Sequence, residues 1–279
     1  MFERKKIPDI SVEEVVSFIK KSYQTDNRGY VSYITENYII KSVAYEKEYQ
    51  NAAERFHEIK AVKTVDRVDS KIATFFYTNK IIGNKIGNIS SNILINSGGI
   101  CAVCDSHADT LDHVLPKSKY VQYTITPINL VPLCSRCNRV KKDKVTNQNK
   151  IIFHPYFHDY GDMHGLVIDY KIRKNIYFSP SYKLGQNANI SFKYNFEEVF
   201  KLNEVLSSLA GHEIIKLSRI LINKTELSKK QVQEFLKTRK DGLMDGLDPQ
   251  WKILLYELLI KEFDVFYEYE VLIKRQELK

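Results

Sequence analysis

Two Cys-x-x-Cys pairs constrain the fold of this chain more than any other feature. Cys101 and Cys104 form the first pair, Cys134 and Cys137 form the second, and these four are all the cysteines in the sequence. Each pair can present two thiolates to one face of a zinc ion, and two pairs complete a tetrahedral site. Because sulfur would fill every ligand position, the zinc is expected to be structural. Free thiols, or disulfides in an exported protein, are the alternative.

The residues between and after the pairs predict a small folded unit. Residues 105–133 separate the pairs, which is longer than the usual loop of a zinc ribbon. Residues 110–114 and 129–133 each have the pattern of a short strand. Ser135 is a candidate N-cap for a helix over residues 136–144. The segment therefore predicts the order strand, loop, strand, helix.

This segment resembles the HNH (ββα-metal) nuclease motif. The resemblance rests on DHVLPKS at 112–118, INLVPLC at 128–134 and CNRVKKDK at 137–144, and it covers roughly residues 98–155. The variant is the one with Asn in the last position and zinc-binding cysteine pairs, as in stand-alone bacterial HNH proteins. The resemblance implies an α+β fold in which a ββα-metal module carries a structural zinc site made of four cysteines.

The resemblance also implies roles for four residues. His113 matches the general base, and Asp112 and Asn138 match the ligands of a catalytic metal. Asn129 matches the residue that fixes the loop bearing the histidine. Phosphodiester hydrolysis needs a base and a divalent cation, and carboxylate and amide oxygens suit Mg²⁺ or Mn²⁺. The alternatives are a structural Asp-His loop anchor, a turn role for Asn129, and a module that no longer cuts.

Positive charge is concentrated around the motif. The chain has a net charge of +8, and residues 114–150 contain eight Lys or Arg against one acidic residue. Lys117, Arg139, Lys141 and Lys142 are therefore candidate contacts to nucleic-acid phosphates. A solvated helix face is the alternative for the lysines.

His154 lies directly after the motif, in the sequence IIFHPYFHD at 151–159. On a helix, His154 and His158 could share a metal, but Pro155 disfavours helical backbone at the preceding residue. We expect a structural histidine in aromatic packing. The alternative is that His154 approaches the active centre, since a similar His-Pro-Tyr segment occurs in related bacterial HNH proteins.

The predicted domain organisation has three parts. They are a mainly helical region at 1–96, the nuclease module at 97–160, and a mixed strand and helix region at 161–279. In the first part, Ser11 and Glu14 form a capping box for a helix to about Gln24. A second helix is predicted over 43–62, whereas the apolar stretch 71–95, with Gly83 and Gly87, favours neither helix nor strand.

The third part begins with strands and ends with helices. Strands are predicted at 166–170, 176–178 and 190–192. Helices are predicted at 196–222 with a break or kink at Gly211, at 226–244, and from Pro249 to about Ile273. The last helix is apolar on nearly all sides, which indicates burial or an interface.

The predicted function is metal-dependent endonucleolytic cleavage of DNA, with RNA not excluded. The resemblance implies a role in bacterial restriction or anti-phage defence, beside an ATPase or sensor partner. The sequence MFERKKIPDI has no apolar core of a signal peptide, and no apolar run approaches a membrane span. A cytoplasmic protein without a membrane partner is therefore expected. The alternatives are a zinc-stabilised nucleic-acid-binding module without catalysis and a scaffold subunit that recruits a partner.

Overall fold

The computed structural model describes residues 2, 4–23, 29–83, 88–145, 150–160, 165–174, 177–245 and 248–278. Contacts divide the chain into two compact units. The first unit comprises Phe2–Gly161 and Ile190–Phe200. The second unit comprises Asp162–Asn189 and Lys201–Lys279. Gln24, Gly87 and Ile176, which the sequence predictions mention, lie outside the described residues.

The first unit begins with two helices. Helix α1 (Val12–Ser22) starts at Ser11, whose hydroxyl and Glu14 form the predicted capping box. Its buried face is the predicted one, with valine and isoleucine side chains at 12, 15, 16 and 19. Helix α2 (Glu36–Ala52) is hydrogen-bonded to α1, because the Glu46 carboxylate accepts the Val12 N–H at 3.1 Å. A buried carboxylate thus satisfies one of the free N–H groups at the start of α1.

The sequence prediction for α2 was wrong in position. The prediction was 43–62, whereas the helix starts after Thr35, whose hydroxyl accepts the Tyr38 N–H. It ends at Ala52, because Ala53 adopts a φ of +44° and leads into a 3-10 turn, Ala53–Glu58. The buried face consists of Tyr38, Ser42, Glu46 and Tyr49, so half of it is polar. A search for apolar periodicity misses such a face.

The stretch 64–96, mostly unassigned from the sequence, is largely helical. A hairpin of β1 (Thr64–Val65) and β2 (Val68–Asp69) precedes α3 (Ser70–Phe76). A π-helical turn continues to Ile82, and α4 (Ile89–Asn96) follows. These elements supply the first wall of the cleft described below.

The motif segment has the predicted ββα order. Strand β3 (Thr110–His113) pairs antiparallel with β4 (Leu130–Leu133), and α5 (Ser135–Lys141) follows directly. Leu111 and Leu130 belong to the same buried cluster as the apolar faces of α1, α3 and α4. The helical region 1–96 and the module 97–160 therefore share one core, which differs from the predicted division into separate regions.

A later segment completes the first unit. The prediction of a strand at 190–192 was wrong, because α6 (Ile190–Lys193) and a π-helical turn, Tyr194–Val199, occupy this stretch. The Asn195 side chain accepts the Phe153 N–H at 2.8 Å and donates to the Ile151 carbonyl at 2.7 Å. A pattern of three residues with alternating polarity does not distinguish a strand from a helical turn. Here the turn is fixed by hydrogen bonds to residues that are distant in sequence.

The second unit packs one hairpin against helices. Strands β5 (Leu166–Arg173) and β6 (Tyr177–Leu184) pair antiparallel over their full lengths, which confirms and extends the strand predictions there. The helices are α7 (Leu202–Asn223), α8 (Lys229–Asp245), α9 (Gln250–Lys261), α10 (Phe263–Tyr267) and α11 (Ile273–Glu277). Gly211 does not interrupt α7. The single helix predicted to Ile273 is interrupted at Glu262 and by a π-helical turn, Glu268–Leu272.

Within the described ranges, no helix combines the length and the apolar character that a bilayer span requires.

A buried carboxylate ties the second unit together. Glu270 is 0 % exposed. It accepts hydrogen bonds from the Phe178 N–H at 2.9 Å and the Ser218 hydroxyl at 2.8 Å, and it pairs with Lys274. One side chain thus joins β6, α7 and the C-terminal helical segment.

Glu270→Ala should lower the free energy of unfolding of the second unit by about 3 kcal/mol, because the buried Phe178 N–H loses its acceptor and Lys274 loses its ionic partner. The Ser218 hydroxyl loses one of its two acceptors and keeps the Ile214 carbonyl. Urea denaturation followed by the fluorescence of Trp251, the single tryptophan and a residue of α9, measures this directly. Glu268→Ala, an exposed neighbour, is the matched control and should stay within about 0.5 kcal/mol of the parent. Equal stabilities of the two variants would contradict the role of Glu270.

Candidate active site

The hairpin of β3 and β4 brings the predicted residues to one place. His113 pairs with Leu130, and Asp112 pairs with Val131. Residues alternate along β3, so His113 is buried while Asp112 is half-buried. Helix α5 follows β4 and places the Asn138 side chain against Thr110 of β3.

The four cysteines lie in one cluster. The Sγ atoms of Cys101, Cys104, Cys134 and Cys137 all lie within 4.8 Å of one another, and those of Cys104 and Cys134 are 3.6 Å apart. A tetrahedral ion with Zn–S bonds of about 2.3 Å separates its sulfurs by about 3.8 Å. The arrangement therefore fits a structural zinc. Among the described residues, no other group of three or more His, Cys, Asp or Glu could hold a metal.

Hydrogen bonds among the sulfurs divide the thiols into two kinds. The hydrogen bond with Cys101 lowers the pKa of Cys104 to about 7 and, with the other sulfurs, also lowers the pKa of Cys134. The same contacts raise the pKa of Cys101 and Cys137. Four mutually close sulfurs cannot all carry negative charge without a cation, which is the electrostatic reason for a metal here.

The start of α5 differs from the prediction. The N-cap is Cys134 rather than Ser135, since its Sγ accepts the Cys137 N–H at 3.4 Å. Ser135 instead donates its N–H to Asp109 at 2.6 Å. The helix ends at Lys141 rather than 144, because Lys142 has a φ of +52°. A candidate zinc ligand thus also fixes the first turn of the helix that carries Asn138.

His113 has a defined tautomer. Its Nε2 lies 2.8 Å from the Thr124 carbonyl oxygen, which can only accept, so Nε2 carries the proton and Nδ1 has a free lone pair. The side chain is 4 % exposed, and Tyr77 packs against the ring with centroids 4.5 Å apart. Burial lowers the pKa of His113 to about 4, although the hydrogen bond to Thr124 and the charge of Asp112 act in the opposite direction. The imidazole is therefore neutral at neutral pH.

Asp112 is held by a buried cation. Lys141 Nζ lies 2.8 Å from Asp112 Oδ2 and donates to the His113 carbonyl at 2.7 Å. The contact with Asp112 is an ion pair, since Oδ2 has no well-aligned hydrogen-bond partner among the described residues. Lys141 is 1 % exposed. The structure therefore differs from the predicted phosphate contact for Lys141: the ammonium faces the candidate metal ligand.

In the described part of the chain, the Asn138 amide oxygen has no hydrogen-bond partner, so it could bind a cation. Its Nδ2 donates to Thr110 Oγ1 at 3.2 Å, and Thr110 in turn donates to the Leu133 carbonyl at 2.9 Å. With the amide nitrogen engaged on the hairpin, the oxygen lies on the other branch of the planar amide. Asp112 and Asn138 line the same cleft, so their oxygens fit a hard divalent ion.

Asn129 connects the loop after His113 to the rest of the unit. The side chain is 0 % exposed. Its oxygen accepts from the Leu115 N–H at 2.8 Å and the Tyr49 hydroxyl at 3.0 Å, and its nitrogen donates to the Leu115 carbonyl at 3.0 Å and the Tyr123 carbonyl at 3.1 Å. Leu115 follows His113 by two positions, and Tyr123 precedes Thr124, the acceptor for His113. One amide thus holds the start of the loop and the stretch beside Thr124.

His154 lies behind this network. Its Nε2 is 3.1 Å from the Tyr49 hydroxyl, and its Nδ1 accepts the Tyr156 N–H at 3.3 Å. It does not line the cleft, and its ring packs among Tyr49, Phe56 and Phe157. Burial lowers the pKa of His154 well below its usual value, so the ring is neutral. The expected aromatic packing is present, and the Tyr49 hydroxyl connects His154 to Asn129.

A cleft of about 740 Å³ opens above these groups. One wall consists of residues of β3, the following turn and α5, including Asp112, His113 and Asn138. The rest of the lining comes from the helices before the motif and includes residues at 77, 78, 82, 90, 91 and 94. Asp112, His113 and Asn138 therefore meet in a solvent-accessible space that a phosphodiester can enter.

The other basic candidates have different positions. Lys117 and Lys142 line the cleft, and Lys117 Nζ lies 4.7 Å from the centroid of the Tyr77 ring. Arg139 is exposed but does not line the cleft. Phosphate contacts thus stay a prediction for Lys117, Lys142 and Arg139.

Sequence reasoning missed Tyr49, the Thr124 carbonyl and the wall formed by α4. Tyr49 lies 80 positions before Asn129, in a helix without a motif. Thr124 contributes a backbone atom, which side-chain patterns do not reveal. The apolar run at 89–95 was visible, but its serines gave no signal of facing an active site.

Comparisons with known proteins find a family match over the motif segment. Residues 101–144 match the family model of the HNH endonuclease. Protein ea31 of Escherichia phage lambda is 36 % identical to this chain over 69 residues, which is 23 % of this chain. The match also spans 23 % of protein ea31. No solved structure is significantly similar to the chain.

Cys134→Ser should remove the zinc and loosen the segment, since one hard hydroxyl replaces a thiolate ligand and the first turn of α5 loses its cap. The wild-type protein should contain about one zinc per chain by mass spectrometry of the metal, and the variant should contain little. Hydrogen exchange over residues 99–144 should rise in the variant. Treating the wild type with a chelator should have the same effect, and zinc add-back should reverse it in the wild type alone. A zinc-free variant with unchanged exchange would refute the structural role.

Asn129→Ala should lower the stability of the first unit by about 3 kcal/mol, because four hydrogen bonds lose their partner inside the protein. Hydrogen exchange of peptides covering 111–130 measures the change locally. Asn138→Ala is the matched control, since that amide makes one half-buried hydrogen bond and should cost about 1 kcal/mol or less. Similar exchange in both variants would show that Asn129 is not the anchor of the loop.

Proposed function

We propose that the chain, in which residues 101–144 match the HNH endonuclease family, is a divalent-metal-dependent endonuclease that hydrolyses phosphodiester bonds in DNA. The observation that carries the proposal is the state of His113. Its Nε2–H donates to the Thr124 carbonyl, which leaves Nδ1 unprotonated, and His113 lines a cleft together with Asp112 and Asn138. A neutral, oriented imidazole beside two oxygen ligands is the combination that phosphodiester hydrolysis requires.

In the proposed reaction, His113 Nδ1 removes a proton from a water molecule as the water oxygen attacks phosphorus. The bond between phosphorus and the 3′ oxygen breaks, and the leaving oxygen takes a proton from solvent. The products are a 3′-hydroxyl and a 5′-phosphate. The hydrogen bond to Thr124 fixes the ring orientation and stabilises the imidazolium that forms.

Asp112 and Asn138 would hold Mg²⁺ or Mn²⁺, which would neutralise phosphate charge and stabilise the leaving oxygen. Lys141 keeps Asp112 in place by pairing with one of its oxygens. Because the ammonium also binds the His113 carbonyl, one buried side chain sets the position of both neighbours.

His113→Ala should lower the cleavage rate at least about 10²-fold, the usual scale for loss of a general base. The measurement is nicking of supercoiled plasmid in Mg²⁺ or Mn²⁺, with EDTA as the metal control and a structured RNA as a second substrate. His212→Ala, which removes an exposed histidine of the second unit, is the matched control and should cut at the parental rate. Binding without any metal-dependent cleavage would favour a non-catalytic nucleic-acid-binding module.

The proposed setting is the cytoplasm, in restriction or anti-phage defence beside an ATPase or sensor protein. Resemblance to stand-alone bacterial HNH proteins supports this part of the proposal. The similar protein ea31 belongs to Escherichia phage lambda, so a partial sequence similarity extends to a phage protein. Phage plating on cells that express the parent or the His113→Ala protein tests the defence role, and equal plating on both would contradict it. Co-purification from the native host tests for the partner, and the scaffold alternative predicts a partner without nuclease activity.

A further inference from the structure

The start of α4 faces the active-site cleft. Ser90, Ser91 and Leu94 all line the cleft that His113 also lines, and their spacing places them on one side of the helix. These residues precede the segment that matches the HNH family model. We propose that the start of α4 is a phosphate-binding subsite for the nucleic-acid strand, one that contacts a phosphate neighbouring the scissile one. The proposal rests on the proposed nuclease function.

The backbone at this helix start has free donors. Asn88 adopts a φ of +49° and makes no side-chain cap. The first helical hydrogen bond runs from the Asn92 N–H to the Asn88 carbonyl at 2.8 Å. Among the described residues, the N–H groups of Ile89, Ser90 and Ser91 have no partner. Free N–H groups and the positive end of the helix dipole favour an anion at this position.

Ser90 provides an independent observation. It is 8 % exposed and lines the cleft, yet its hydroxyl makes no hydrogen bond to any residue in the described part of the chain. Its oxygen is not fully buried, so it is open to the cleft. A ligand oxygen in the cleft would supply a partner. The hydroxyl and the nearby N–H groups are all donors at neutral pH, which matches the acceptor-only oxygens of a phosphodiester.

The composition of the cleft favours a phosphate of a strand over an isolated anion. The same cleft contains His113, Asp112 and Asn138, so a strand bound for cleavage must extend past them. Phosphates repeat along the backbone of the strand. The phosphate next to the scissile one would therefore contact the start of α4. Neutral donors there would fix the register of the strand without sequence preference, since phosphate contacts position the nucleic acid and base contacts specify it.

Binding without cleavage isolates this subsite. The full chain carrying His113→Ala is titrated against fluorescent DNA oligonucleotides, single-stranded and duplex, in Mg²⁺, with anisotropy as the readout. Ser90→Asp should raise the Kd at least about tenfold, because a carboxylate would occupy the phosphate position. Ser90→Ala should raise it about threefold to tenfold, the effect of one lost hydrogen bond. Asn96→Asp adds the same charge at the exposed far end of α4 and should stay within about twofold.

The variants should keep their fold, because Asp is favourable in the first turn of a helix. Zinc content and hydrogen exchange of the first unit check this, and Ser90→Ala carries the test if Ser90→Asp is misfolded. Parental binding by the Ser90 variants, or an equal loss in Asn96→Asp, would overturn the subsite. The nuclease proposal would survive that result if the wild type still cuts plasmid. A wild type that neither binds nor cuts would overturn both.

Discussion

The hydrogen bonds of one buried amide hold the candidate active site in shape. Asn129 uses both of its polar atoms twice, on Leu115, Tyr123 and Tyr49. These contacts fix the start of the loop between β3 and β4 and the stretch of it beside Thr124. That loop in turn presents the Thr124 carbonyl to His113. The tautomer of the candidate base is therefore set by a residue that does not touch the substrate, and the low dielectric around the amide strengthens each link.

The cysteine cluster and the Lys141 pair hold the helix that carries Asn138. Cys134 and Cys137 lie at the start of α5, so a zinc ion there would fix the origin of the helix. Lys141 fixes its end by pairing with Asp112 and the His113 carbonyl. Asn138 lies between these two attachments. Metal binding to the cysteines and charge pairing at Asp112 thus determine where the Asn138 oxygen lies.

The spacing of residues in the sequence was enough to predict the motif segment. It was not enough to predict the elements that pack around this segment. The cysteine pairs, the two short strands and the helix could be predicted because each depends on residues close in sequence. The position of α2 could not be, since its buried face includes Ser42 and Glu46 and is therefore not apolar. The burial of Lys141 depends on a cross-element pair, and the role of α4 depends on the tertiary fold. The strand predicted at 190–192 failed because Asn195 holds that stretch in a helical turn through contacts with residues about forty positions away.

The first unit is not continuous in sequence. Its chain leaves at residue 161 and returns for 190–200, where Asn195 binds the backbone on both sides of Ile152. During synthesis on the ribosome, the hairpin 166–184 therefore emerges before the last piece of the first unit. The unit that carries His113 can reach its final packing only after residue 200 has left the exit tunnel. For the same reason, a recombination event that transfers only the residues up to about 160 would not transfer the whole first unit. It would leave out residues 190–200, which complete the packing of that unit.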